Sequence, residues 1–186
     1  YGAQVSLSSD GTKATAVWRE GNNIKARSAT ITGNNAVWGS TSTLSSYTAQ
    51  NPVLSLSSDG STAIAVWEGS LAGHSIIQAS TANISGNLAN WATPNDISEV
   101  SQNSYSPSVS LSGDGSKAIV VWYRYVSTPQ SAVIQANSAT INSNNASWAG
   151  PLSISVSGYD ALGPEISSSQ GGDKATAVWS IKLTSG

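Results

Sequence analysis

The sequence contains no cysteine, which excludes disulfides, thiolate metal sites and cysteine nucleophiles and leaves the redox compartment open. It contains one histidine, His74, and with only scattered acids around it nothing completes a metal centre or a catalytic triad, so no cofactor is expected. Charge is scarce: 10% of the 186 residues are charged, the net charge is -2 and there is no basic run. That argues against nucleic acid, whose phosphates call for clustered Lys or Arg. No run of eighteen apolar residues is present, so no membrane span is expected, and no basic segment leads into an apolar one as in a signal peptide. Methionine is absent too, so there is no initiator, which suggests a processed chain or a segment of a longer one.

Polarity comes from Ser, Thr, Asn and Gly, while 39% of the residues are hydrophobic, enough to bury a core. Ser and Asn compete for backbone hydrogen bonds and Thr is β-branched, so the composition favours strands and turns over helix. The same low charge and abundance of hydroxyls are common in secreted proteins, and an extracellular or cell-surface location is the expectation.

The dominant pattern is a hairpin that occurs four times, at Val5 to Trp18, Leu54 to Trp67, Val109 to Trp122 and Ile166 to Trp179. In each, an alternating run, a short Asp-Gly or Gly-Gly turn and a second alternating run end on a tryptophan thirteen positions after the first apolar residue. A second series repeats three times, with Ile31, Ile84 and Ile141 each seven residues before Trp38, Trp91 and Trp148. The reading is a single repeat domain over 1–186, with repeats at about 1–46, 47–99 and 100–156 and a half repeat at about 157–186. Strands A and B form the hairpin, strand C ends at the isoleucine, and strand D is expected from Trp38 to Ser45, Trp91 to Ser98 and Trp148 to Ser155. Four antiparallel strands per repeat, apolar on both faces, predict an all-β fold of propeller-type blades: three four-stranded blades plus one extra hairpin. Because a propeller closes over about four to eight blades, the chain is expected to belong to a larger ring or assembly, completed by further copies or further repeats.

The A–B and C–D spacings are constant, whereas the B–C and D–A connections vary in length. One edge of the repeats is therefore uniform and the other tailored, and the tailored edge collects the distinctive side chains: Arg19, Glu68, His74, Tyr123, Arg124 and Tyr125 from B–C loops, Tyr47, Tyr105 and Tyr159 from D–A loops, with Tyr1 at the corresponding start. Variable loops on a rigid scaffold are where binding residues concentrate, and these are the candidate ligand residues. The hairpin tryptophans read as core, and so, less decisively, do Trp38, Trp91 and Trp148; His74 reads as a solvated loop residue.

The stretch Ser57-Ser-Asp-Gly-Ser-Thr-Ala-Ile-Ala-Val-Trp67, with Asn51-Pro52 ahead of it, resembles the TolB-type bacterial propeller repeats and the secreted propeller repeats that end in Ala-Val-Trp. The Asp-box of sialidases is only grazed, because Ser9, Asp10 and Gly11 are contiguous, and the fourth copy departs further with Gln170-Gly171-Gly172-Asp173. The resemblance implies the blade and its turn, not an active site. Glycosidase chemistry needs two carboxyl groups across the scissile bond, and sialidase chemistry also an arginine cluster; Asp10, Asp59 and Asp114 are most simply turn formers. The expectation is a non-catalytic module that binds a glycan or a protein, with a structural subunit of an extracellular assembly as the alternative.

Overall fold

The computed structural model describes residues 2–127, 130–156 and 158–182. Among them the chain is all β, without helix, and no helix is long and apolar enough to cross a membrane. Tyr1 and the last four positions of the half repeat lie outside the described residues. The first sheet contains β1 (Ala3–Leu7), β2 (Lys13–Glu20), β3 (Asn23–Thr32), β4 (Asn35–Trp38) and β5 (Ser42–Thr43). The second contains β6 (Ala49–Leu56), β7 (Thr62–Leu71), β8 (His74–Ser85), β9 (Leu88–Trp91) and β10 (Asn95–Asp96). The third contains β11 (Ser104–Leu111), β12 (Lys117–Ser127), β13 (Gln130–Asn142), β14 (Asn145–Trp148) and β15 (Leu152–Ser153). The fourth is the pair β16 (Asp160–Ser168) and β17 (Ala175–Lys182). All pairings are antiparallel.

The turn of each hairpin is written by its sequence. In the first, Gly11 has φ 69° and its N–H donates to the Ser8 carbonyl at 3.0 Å, while Asp10 accepts from the Ser8 hydroxyl at 2.7 Å and the Thr12 N–H at 2.9 Å. Gly60, Gly115 and Gly172 repeat the positive φ, at 67°, 74° and 64°. The Ser8 hydroxyl and the Thr12 N–H hold the Asp10 carboxyl down to about 2, and Ser112 with the Ser116 N–H does the same for Asp114, also to about 2. In the fourth copy the aspartate stands two positions later, yet Asp173 reaches the equivalent serine, accepting from the Ser169 hydroxyl at 2.6 Å.

The sheets stack in chain order, each with a rear face toward the preceding sheet and a front face toward the next. Between the first and second, Val17, Ile24, Ala26 and Leu44 on the front meet Ala65 and Trp67 on the rear, with Leu54 packed alongside. The other joints repeat this: Val66 faces Trp122 and Val109, and Val121 faces Trp179 and Ile166. Three backbone bonds link the turns in sequence, from Ser9 N–H to Ser58 O (2.8 Å), Ser58 N–H to Gly113 O (2.8 Å) and Gly113 N–H to Gln170 O (2.7 Å).

The expected burial of the hairpin tryptophans holds where a sheet has neighbours. Trp67 and Trp122 are fully buried, their indole N–H groups donating to Gln78 Oε1 (3.0 Å) and Gln135 Oε1 (3.2 Å). Trp18 and Trp179 are only half-buried, a correction to the core assignment: among the described residues no sheet stands behind the first, and no C strand lies beside β17. Strand D also differs from expectation. Trp38, Trp91 and Trp148 end a short strand rather than begin one, and a second short strand resumes after three residues that oppose only two on strand C. This bulge is stabilised from strand C: Arg27 Nε donates to Gly39 O (2.7 Å), the Ser80 hydroxyl donates to Ala92 O (2.7 Å), and Asn137 Oδ1 accepts from Gly150 N–H (3.0 Å).

Candidate functional site

Strand A carries its own bulge at the tailored edge. Asn51-Pro52, Ser106-Pro107 and Gly163-Pro164 each add one residue opposite the hairpin tryptophan, and Asn51, Ser106 and Gly163 have φ of 50°, 51° and 58°. Proline at a bulge gives up a donor that the ladder does not use. In the third sheet the bulge turns the Ser106 N–H onto Glu68 Oε1 of the second sheet, at 2.8 Å, while Gln50 Nε2 donates to Glu68 Oε2 at 3.0 Å. Glu68, 3% exposed, thus ties strand A of its own sheet to strand A of the next.

Above this tie lies an opening of about 340 Å³ lined by Gln50, Glu68, His74, Asn103 and Tyr105 among others. Tyr105 and Tyr123 are cross-strand partners, and Tyr125, two residues on, shares their face. The three rings form a cluster with centroids 5.6 Å (Tyr105–Tyr123), 5.9 Å (Tyr105–Tyr125) and 5.6 Å (Tyr123–Tyr125) apart, the last two pairs edge to face. Such offset and edge geometries are the favourable ones for aromatic rings. Burial, with Tyr125 and Glu68 nearby, pushes the Tyr123 hydroxyl above the usual tyrosine range. Tyr125 is 46% exposed and presents the outer ring. Beside the cluster, Arg124 donates to Gln102 Oε1 and lies 3.6 Å from the Glu99 carboxylate.

Unsatisfied polar atoms concentrate at the same edge. Among the described residues, His74 Nδ1, Ser104 Oγ and Arg124 Nε are buried without a hydrogen-bond partner; the other two such atoms are the indole nitrogens of Trp91 and Trp148. A buried polar atom left unpaired is uncommon in a folded protein. His74 departs from the solvated loop residue that the sequence suggests: it is the first residue of β8 and partly buried against the opening.

No family model and no curated protein matches the chain. The site therefore stands on its own geometry. Of the residues singled out in the sequence, Glu68, His74 and Tyr105 line the opening between the second and third sheets, and Tyr105 links it to Tyr123 and Tyr125 on the face of the third sheet that carries Val121, with Arg124 between them on β12. Tyr47 and Tyr159 are exposed ahead of β6 and β16, and Arg19 on β2 donates to the Gly21 carbonyl at 2.8 Å; these three stand apart. Gln50, Gln102, Asn103 and Ser104 belong to the cluster and were not singled out, because in a chain so rich in amides and hydroxyls nothing marks them. Among the described residues no group of three or more His, Asp or Glu could hold a metal ion.

Proposed function

We propose that the repeats are blades of a β-propeller, in a secreted or surface-displayed protein, and that the chain is a non-catalytic module binding a glycan at the edge between the second and third sheets. The observation that carries the reading is the three-tyrosine cluster standing beside a polar opening. Aromatic faces with a few fixed hydrogen-bonding groups suit a sugar, whose ring offers C–H faces and hydroxyl edges. Gln50, His74 and Asn103, which line the opening, supply polar side chains that a hydroxylated ligand can pair. The non-catalytic reading is supported by Glu68, the carboxylate at the opening, both of whose oxygens already accept hydrogen bonds, from Ser106 and Gln50.

A glycan array tests this. Binding is expected, and Tyr125→Ala should weaken it roughly tenfold, the equivalent of about 1.4 kcal/mol, with thermal stability unchanged because the ring is 46% exposed. An array without a bound glycan, or binding indifferent to both Tyr105→Ala and Tyr125→Ala, would remove the proposal.

A further inference from the structure

We propose that the opening between the second and third sheets takes an uncharged sugar through its hydroxyl groups and turns away acidic sugars, those that carry a carboxylate or a sulfate. This rests on the glycan reading of the same site and names the class of glycan that enters it.

The hydrogen bonds inside the protein fix what the opening has left to offer. Gln50 and Asn103 both line it. Gln50 Nε2 donates to Glu68 Oε2 at 3.0 Å, and Asn103 Oδ1 accepts from the Ser75 N–H at 2.9 Å. A carboxylate accepts from the N–H end of an amide and a backbone N–H donates to its oxygen, so neither side chain can turn end for end without losing its bond. Gln50 is left with its oxygen, an acceptor, and Asn103 with its NH2 group, a donor; neither has a partner among the described residues. Thr48 and Ser75 add hydroxyls to the same wall.

A fixed acceptor and a fixed donor on one wall select ligand groups that can answer both. A sugar hydroxyl donates and accepts, so two hydroxyls of one ring can meet the two amides. A carboxylate or sulfate oxygen only accepts. Set in the opening, it leaves Gln50 Oε1 facing a second acceptor, and a polar atom desolvated without a partner costs affinity.

Charge points the same way. Among the described residues no lysine or arginine lines the opening, and the carboxylate that does, Glu68, is 3% exposed. Its oxygens are met by the Ser106 N–H and the Gln50 amide, which are dipoles and not counter-charges. Arg124 stands outside the lining and is engaged by Gln102 and Glu99. An acidic ligand would therefore meet a like charge with no cation to pair it, and like charges brought together in a binding site cost affinity. The acid is particular to this joint. The residue opposite the same strand C isoleucine is Arg19 in the first sheet and Tyr123 in the third, so this position sets a different character at each joint. His74 is the one lining side chain that can turn cationic, and it does so toward acid pH.

The test is a glycan array carrying neutral oligosaccharides of glucose, galactose, mannose and N-acetylglucosamine beside sialylated, uronate-containing and sulfated glycans, probed with the whole chain at pH 8 to keep histidine uncharged. Neutral glycans should bind, and the acidic counterpart of a bound glycan should bind weaker by about tenfold or more. Ser70→Arg places a guanidinium on the wall of the opening at an exposed position, and should raise acidic over neutral binding by about tenfold with the melting temperature unchanged. Ser70→Gln, long and uncharged, controls for bulk and should not raise that ratio. Acidic glycans bound as well as their neutral counterparts would overturn this inference and leave the glycan reading standing. So would a ratio that Ser70→Arg does not move, or that Ser70→Gln moves as far. An array without any bound glycan would remove the reading itself, and this inference with it.

Discussion

At Gly60 two demands meet on one residue. Its φ of 67° is left-handed, and a Cβ added there would lie 2.8 Å from Lys13 Cδ and 2.9 Å from Lys13 Cβ in the first sheet. Gly11 has the same conformation, with nothing within 4 Å of an added Cβ. Gly11→Ala should therefore cost about 1 kcal/mol, the left-handed penalty alone. Gly60→Ala should cost measurably more, because Lys13 must also shift; equal losses in urea denaturation would show that the close approach is immaterial. The turn carboxylates make a second prediction. Asp10 and Asp114 are lowered to about 2, and Asp59 and Asp173 are also lowered, chiefly by neighbouring hydroxyl and N–H groups. A carboxylate whose folded value lies below its unfolded one stabilises the fold above the unfolded value, near 4, and that contribution is lost as pH falls toward the folded value. The melting temperature should thus hold between pH 7 and pH 4 and drop between about pH 4 and pH 2, with a smaller drop in Asp10→Asn. The displaced aspartate of the fourth copy was not legible in the sequence, where Gly171 stands in place of the acid: that Asp173 reaches the same serine from across the turn is a fact of side-chain reach, not of spacing.

Among the elements, the B strands show how much a neighbour matters. Trp67 and Trp122 are the same residue as Trp18 in the repeat, and they differ from it in being enclosed on both sides. Trp122→Ala should cost roughly 3–5 kcal/mol, as large-to-small changes at buried aromatics do, and Trp18→Ala clearly less. Gln135→Leu should cost about 1–3 kcal/mol by leaving the Trp122 indole N–H buried and unpaired. Chemical denaturation of the three variants checks both statements, and equal losses for the two tryptophans would contradict the enclosure argument. The hairpins and their turn glycines were legible because two-residue periodicity and Asp-Gly turns are local. The break in strand D was not. Three different residues, Arg27, Ser80 and Asn137, satisfy the same bulge through side-chain bonds to its backbone, so no single residue type announces it.

For the whole molecule, a stack in which sheets contact mainly their neighbours should be most stable in its middle. Hydrogen exchange should be slowest in β7, β8, β12 and β13, whose core residues are buried from both faces, and fastest in β17, whose Val178 and Ile181 are 60% and 54% exposed. Uniform protection across the four sheets would contradict this stacking picture. The composition of the tailored edge was readable from loop-length variation, but which of its residues meet was not. Tyr47 and Tyr159 have the chemistry of Tyr105, and they stand apart because the ring cluster is assembled by the pairing of β11 with β12, which brings Tyr105 opposite Tyr123.

The bulge opposite each tryptophan in the second, third and fourth sheets has a consequence for how such a chain can change over time. Below it, the A–B ladder continues residue for residue to the turn, and one inserted residue would exchange its two faces. Above it, the ladder has already absorbed one extra residue, and the segment leading into it varies in length between repeats while the register below stays the same. The bulge acts as an expansion joint: mutation and length change on the side of the variable connections are kept from propagating into the packed side. A lineage, or an engineer building a library, can therefore rewrite one rim of the protein while inheriting its interior unchanged.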